Sequence, residues 1–471
     1  MKIGFDFICD ESLLFADVAE ILFKDGHVIS GITMGKRWFS GRRKNFNYYD
    51  INNSFENLKN IEENLIRIES VYGKYSPASF VLSDRFISKL DRKTQTKYLL
   101  NTFIEVENYV NDAKIDVFIS TGIAYLYNLV TLAVCEKYNI RHISLYSTRS
   151  SDDNFTFSYN TGSKWDLVEQ EYYKICDSQT ISGEIDIAKS YLSMFRNKMM
   201  APSYMNTARQ SYNFNINQFK EFIVRIKHWY IDGWRTDKYD YITKSPYWYA
   251  FRDVKKILLA KYINLNKNFI YDQLNDDCKY YIYPLHLQPE ASTLIHAKWY
   301  VDQINTILNI SKTLPLDAVL YVKEHKSAIG RHTLNFYKKL KSIHNVRLIS
   351  YDVDVRKFIN NCKGIVVLSG TMGWEAYLLN KPVFVLGDVF YDFLPGIYKI
   401  RSFEDLRSKI TVAESTNIVN NDESIVNFLI ALKRKSFPGL FDVTKMDTAN
   451  KVLSRKNIEN VYVAINDILS N

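Results

Sequence analysis

Four short polar clusters interrupt apolar runs in the last two fifths of the chain. They are His286-Leu287-Gln288-Pro289-Glu290, Lys323-Glu324-His325, Ser369-Gly370-Thr371-Met372-Gly373 and Asp388. Ser369, Gly370 and Thr371 sit where an apolar run gives way to a helical pattern. A turn of small residues there leaves backbone N–H groups open at the positive end of a helix dipole, which is the environment a phosphate requires. Glu375, about one turn into that helix, is placed to reach a ribose, and Lys323 and His325 supply cationic groups from a neighbouring run. The chain has neither the G-x-x-x-x-G-K-[ST] of a P-loop nor a G-x-G-x-x-G fingerprint, so ATP hydrolysis and NAD chemistry lose support. His286, His296, His325 and His332 lack a tight ligand spacing, and Glu324 and His325, being adjacent, would point to opposite faces of a strand. No metal and no other cofactor is expected.

The elements that must carry these clusters are strands alternating with helices. From residue 279 the runs KYYIYPL, AVLYVKEH, VRLIS, GIVVLSG and PVFVLG read as five strands separated by four helical patterns, the signature of a parallel sheet with crossover helices. In such a sheet ligands collect at the carboxyl ends of the strands, where the polar clusters lie. KIGFDFI, HVISGITM, IDVFIS and RHISLY repeat the pattern near the start. Between them lie long charged, aromatic helical segments. The expected organisation is residues 1–164, an α/β domain; 165–275, a helical, basic and aromatic-rich insert; 276–440, a second α/β domain; and 441–471, a C-terminal helical tail.

At 471 residues, 46% hydrophobic and 24% charged, the chain has the composition of a globular protein of two or three domains. From Arg196 to Lys267 there are 14 Lys and Arg against 5 Asp and Glu. This net +9 equals the excess of the whole chain, 61 against 52. Trp229, Tyr230, Trp234, Tyr247, Trp248 and Tyr249 interleave with Arg225, Lys227, Arg235 and Arg252 in that stretch, a mixture suited to an anionic membrane or a polyanionic glycan, or to helices packed on the body with basic rims. The five Cys are scattered and never form C-x-x-C, which points to neither a disulfide framework nor a zinc ribbon but to a reducing cytoplasm. MKIGFDFICDES carries acidic residues where a signal peptide needs an apolar core. The uncharged run Val117 to Cys135 divides into strand, turn and helix better than it forms a membrane span.

The runs YPLHLQPEAST, LYVKEHKSAIGR, FYKKLKSIHNVRLIS and VVLSGTMGWEAYLLNKPVFVLGDVFY, followed by LPGI, resemble in order and spacing the bacterial capsule polysaccharide biosynthesis family. That family includes Kdo transferases and related surface-glycan glycosyltransferases. The resemblance covers about residues 280–400 and implies an α/β, GT-B-like fold. Two Rossmann-like parallel-sheet domains would face each other across a cleft, with a helical insert and C-terminal helices, the N-terminal domain taking the acceptor and the C-terminal one the nucleotide-sugar donor. Lys323-Glu324-His325 resembles the family's K-E-H-P, with Lys326 in place of Pro. The resemblance places Lys323, Glu324, His325, Ser369, Gly370, Thr371, Glu375 and Gln288 in donor binding, and turns the loop from His286 to Glu290 toward the reaction centre.

Glycosyl transfer needs a base for the acceptor hydroxyl or a carboxylate to trap the sugar. Glu290 is the first candidate, although a Glu after Pro289 also suits a helix N-terminus, and Asp10 is the second. His286 completes the catalytic set. The expected function is transfer of a sugar, Kdo or another ulosonic acid from a CMP-sugar, to a growing surface polysaccharide. The expected partners are the nucleotide sugar, a glycan or lipid-linked glycan acceptor and the inner membrane face, without nucleic acid. A teichoic-acid-type CDP-polyol phosphotransferase, a hydrolysing nucleotide-sugar epimerase and a non-catalytic polyanion-binding protein stay open as alternatives.

Overall fold

The computed structural model describes all residues except 9–10, 36–42, 149–152, 179–181, 199–215, 276, 417–420, 442–449 and 471. The chain divides into two compact units, each discontinuous in sequence. One comprises residues 1–167, 223–246 and 435–471, the other 168–222 and 247–434. The helical stretch 165–275 is therefore shared between the units, and the C-terminal tail belongs to the first.

The first unit is built on a seven-stranded sheet. Its strands are β1 (Lys2–Asp6), β2 (Val28–Thr33), β3 (Asn47–Asp50), β4 (Val117–Ser120), β5 (Arg141–Ser147), β6 (Asn154–Ser158) and, from the far end of the chain, β13 (Phe437–Pro438). The order is β13-β6-β5-β4-β1-β2-β3. The pairs from β3 to β5 are parallel, while β6 runs antiparallel to both β5 and β13. Apart from Lys2, every residue of β1 and β4 is buried, because both faces of the sheet are covered. The helix Arg455–Ser470 covers part of it, burying Val461, Ala464, Ile465, Ile468 and Leu469. That spacing draws one apolar stripe down the helix.

The second unit carries β7 (Lys279–Pro284), β8 (Ala318–Lys323), β9 (Val346–Ile349), β10 (Gly364–Val367), β11 (Val383–Val385) and β12 (Ile397–Lys399). They form one six-stranded sheet in the order β12-β11-β10-β7-β8-β9, with every pair parallel. Counted from its own first strand, this is the 3-2-1-4-5-6 order of a doubly wound dinucleotide-binding sheet. The order reverses between β7 and β10, and in sheets of this kind ligands collect at the carboxyl ends of the strands beside that junction. Both units are thus Rossmann-like α/β domains, as a GT-B-like chain with helical insertions requires.

Much of the tyrosine is core. Tyr280, Tyr281 and Tyr283 on β7 are buried, and their hydroxyls donate to the Phe358 carbonyl (2.8 Å), the Glu414 carboxylate (2.6 Å) and Gln303 Oε1 (3.5 Å). A buried phenol is tolerated because each hydroxyl finds an acceptor.

Candidate functional site

The loops after β7, β8 and β10 meet at the switch point of the second unit. His286 follows β7 and is buried. The side-chain amide of Gln303 clamps its backbone, accepting from the His286 N–H (2.8 Å) and donating to the His286 carbonyl (3.0 Å). The imidazole Nε2 accepts the Ser369 N–H at 3.5 Å, which ties the loop after β7 to the loop after β10. A Cβ added at Gly370 would lie 3.1 Å from the same Nε2, so a glycine lets the ring approach. Burial pushes the His286 pKa down to about 3; His325 adds to the effect and the Pro284 carbonyl opposes it. At neutral pH the ring is uncharged, and its bond to Ser369 leaves the proton on Nδ1.

Lys323 ends β8 with its side chain directed into this region. It is only 7% exposed, and its Nζ donates to the Tyr351 carbonyl at 3.3 Å. Burial lowers its pKa, while Glu375 and then Glu324 and Asp352 oppose the shift. Glu375, on the helix Thr371–Leu378, shows the reciprocal effect: burial raises its carboxyl to about 7 against the pull of Lys323. The site therefore holds a buried amine whose protonation burial opposes and a carboxyl group close to protonation, and among the described residues neither forms a salt bridge.

His325 Nδ1 accepts the Ser327 N–H at 3.1 Å and caps the turn Lys326–Ala328, which leaves the ring proton on Nε2. Burial, with Lys323 and Arg331, pushes its pKa down to about 4. Glu324 points away from this group. It is 0% exposed and accepts from the Tyr337 hydroxyl (2.8 Å), the Tyr271 hydroxyl (3.5 Å) and the His325 N–H (3.0 Å). Its carboxyl holds the strand end in shape, which is a structural place rather than a ligand-facing one.

Thr371 opens the helix Thr371–Leu378, with Gly370 at its N-cap in extended conformation. Ser369 Oγ donates to the Ser292 carbonyl at 2.7 Å, and the Tyr391 hydroxyl donates to the Gly370 carbonyl at 2.6 Å. The first of these bonds engages the Ser369 hydroxyl proton, so the open donors at this helix start are those of the Thr371 region. Gln288 donates to the Val301 carbonyl at 2.6 Å. Glu290 occupies the N-cap position of the short helix Ala291–Leu294, without a side-chain cap bond, and its carbonyl accepts the Thr293 and Leu294 N–H groups. Asp388 is paired with Lys399 at 2.6 Å. Asp10 lies outside the described residues. Among the described residues no three His, Cys, Asp or Glu gather in a metal-ligand cluster.

The first unit has its own switch point, between β1 and β4, and a carboxylate that sequence reasoning passed over stands there. Asp6, at the end of β1, is buried. It accepts from the Ile8 N–H (2.9 Å), the Tyr127 hydroxyl (3.2 Å) and Asn128 Nδ2 (3.1 Å). Tyr127 and Asn128 lie in the first turn of the helix Leu126–Lys137 that follows β4. Burial outweighs these three donors and raises the carboxyl to about 7. An acidic residue closing the apolar run Ile3-Gly4-Phe5 was the available signal.

These features define a two-domain α/β protein whose second unit has the strand order of a doubly wound sheet, with polar loops gathered at its switch point. Residues 177–420 match the family model of the capsule polysaccharide biosynthesis protein, and the chain belongs to that family. It is similar to the capsule polysaccharide modification protein LipB of Neisseria meningitidis serogroup B, at 22% identity over 243 residues, 49% of this chain and 50% of that protein. It is also similar to the capsule polysaccharide export protein KpsS of Escherichia coli, at 24% identity over 123 residues, 25% of this chain and 32% of that protein. The chain thus matches about half the length of LipB. Among solved structures, KpsC of Thermosulfurimonas dismutans, a β-Kdo 2,4 transferase, aligns with 69% of this chain and 82% of its own, at 10% identity and a TM-score of 0.37. Among the described residues no helix is long and apolar enough to cross a membrane.

Proposed function

We propose that the chain is a glycosyltransferase that moves a sugar from a nucleotide donor to a growing surface polysaccharide, with the donor seated at the β7–β10 switch point. The observation that carries this reading is the meeting there of His286, Lys323, His325 and the start of the helix Thr371–Leu378. Membership of a capsule polysaccharide family supports the glycan as product. The sequence resemblance to Kdo transferases favours a CMP-activated ulosonic acid as donor.

In the proposed reaction the acceptor hydroxyl oxygen bonds to the anomeric carbon as the bond from that carbon to the nucleotide phosphate breaks. The nucleotide leaves with the electron pair, and the hydroxyl proton passes to a carboxylate. Glu290 is the proposed base, with Asp10 the second candidate. Lys323 would offset the charge that develops on the departing phosphate, and the His325 Nε2–H and Thr371 donors would hold its oxygens. Neutral His286 would position the loop after β10 through its bond to the Ser369 N–H. Glu375 would accept from a ribose hydroxyl.

The test is nucleotide release from CMP-Kdo in the presence of capsule oligosaccharide, with UDP-N-acetylglucosamine as a control donor. Release from CMP-Kdo that requires acceptor, and is lost in Lys323→Met, is the expected result. Turnover of neither donor would refute the reading.

A further inference from the structure

The helix Pro246–Leu265 presents two opposite faces. Ile257, Ala260 and Ile263 are buried, the last two within the core of the second unit. Around the other side, Phe251, Val254, Leu258, Tyr262 and Leu265 recur at intervals of three or four residues. That interval stacks side chains in one stripe. Ordinarily such a stripe is the one a helix buries, yet here Phe251 is 72% exposed, Leu258 61% and Leu265 87%, and Phe269 just beyond is 82% exposed.

The charges around the stripe have one sign. At about 100° per residue, Lys255 and Lys261 fall on its two flanks, and both are exposed. Neither makes a salt bridge among the described residues. The helix contains one acidic residue, Asp253, which is paired with Arg252 at 2.8 Å and falls toward the buried side. A helix that turns an apolar stripe outward between lysines matches a surface that is greasy within and anionic at its rim.

We infer that the helix Pro246–Leu265 is a docking surface for an anionic phospholipid bilayer, lying in the interface with Phe251, Leu258 and Leu265 among the acyl chains and Lys255 and Lys261 at the headgroups. The inference is independent of the chemistry proposed at the switch point. Charge complementarity favours a bilayer over a second copy of this chain, since two such faces brought together would oppose lysine to lysine.

Flotation of the full chain with phosphatidylcholine vesicles, with and without phosphatidylglycerol, tests it. The chain is expected to float with the anionic vesicles and to stay behind with the neutral ones. Phe251→Glu/Leu258→Glu is expected to reduce the bound fraction at least tenfold, and Lys255→Ala and Lys261→Ala each by about fivefold, from roughly 1 kcal/mol per basic residue at an anionic surface. All four side chains are exposed, so an unchanged melting temperature is the control for folding. Failure of the wild-type chain to float with anionic vesicles would overturn the inference, as would undiminished flotation of the variants. A dimer by light scattering that Phe251→Glu/Leu258→Glu dissolves, without vesicle binding, would assign the face to a second copy instead.

Discussion

Replacing Glu324 with Gln isolates the cost of a carboxylate that the fold has removed from water. The side chain is 0% exposed and burial raises its carboxyl from 4.5 to about 7, against the donors Tyr337 and His325 N–H. Between those two values the folded chain keeps a proton that the unfolded chain has released. Stability contributed by this residue therefore falls as pH rises from 4.5 to 7 and is level on either side. A shift of about 2.5 units corresponds to roughly 3 kcal/mol at 1.36 kcal/mol per unit. Gln preserves the shape, can accept the His325 N–H, and can offer its NH2 to two hydroxyls that are free to rotate, but it does not titrate. Urea unfolding of both proteins at pH 4.5, 6 and 8 should show the variant gaining on the wild type by about 3 kcal/mol across the series. A stability difference independent of pH would mean that the Glu324 carboxyl is not shifted by burial.

Other outcomes follow from the same geometry. Gly373→Ala places a Cβ 2.2 Å from the Tyr391 hydroxyl and should cost about 1–3 kcal/mol; adding Tyr391→Phe should recover part of it, and strict additivity in urea unfolding would contradict the clash. Gln303→Ala strands the buried His286 N–H and carbonyl and should cost about 2–4 kcal/mol, with nucleotide affinity falling in parallel by calorimetry. His286 and His325 are held neutral, with folded values near 3 and 4 against an ordinary 6.5. Their contribution is full above pH 6.5 and is lost as pH falls toward 4 and below, opposite in sense to Glu324. His325→Asn keeps an acceptor for the Ser327 N–H and should make acid unfolding shallower.

The parts of the fold that were legible in the sequence are those fixed by local pattern. β7, β8, β10 and β11 are apolar runs ended by polar clusters, and the alternation of strands with helices implied parallel pairing. β3, β6, β12 and β13 were missed. β3, β12 and β13 are two to four residues long and only partly buried or exposed, and β6 alternates its two Phe with Asn, Thr and Ser, so no continuous apolar run marks them, and their neighbours supply the pairing. The division into units was also hidden, because β13 and the helix Arg455–Ser470 return to the first unit after the whole of the second has been traversed. At the site, residue types were easier to read than orientations. Lys323 and Glu324 are adjacent in sequence and face opposite ways, and only the positions of Tyr271 and Tyr337 reveal that Glu324 is occupied. Asp6 was passed over because one carboxylate at a strand end says nothing of Tyr127 and Asn128, which reach it across 121 and 122 residues.

The proposed reaction rests on a nucleotide binding at the β7–β10 switch point. Calorimetric titration of the full chain with CMP, UDP and GDP tests it most directly, alongside His325→Asn and Thr371→Ala. CMP should bind in preference to the others, and at least tenfold more weakly in each variant, since His325→Asn removes the ring Nε2–H and Thr371→Ala the hydroxyl proposed to donate to phosphate. No nucleotide binding at millimolar concentration, or binding that both variants leave intact, would contradict it.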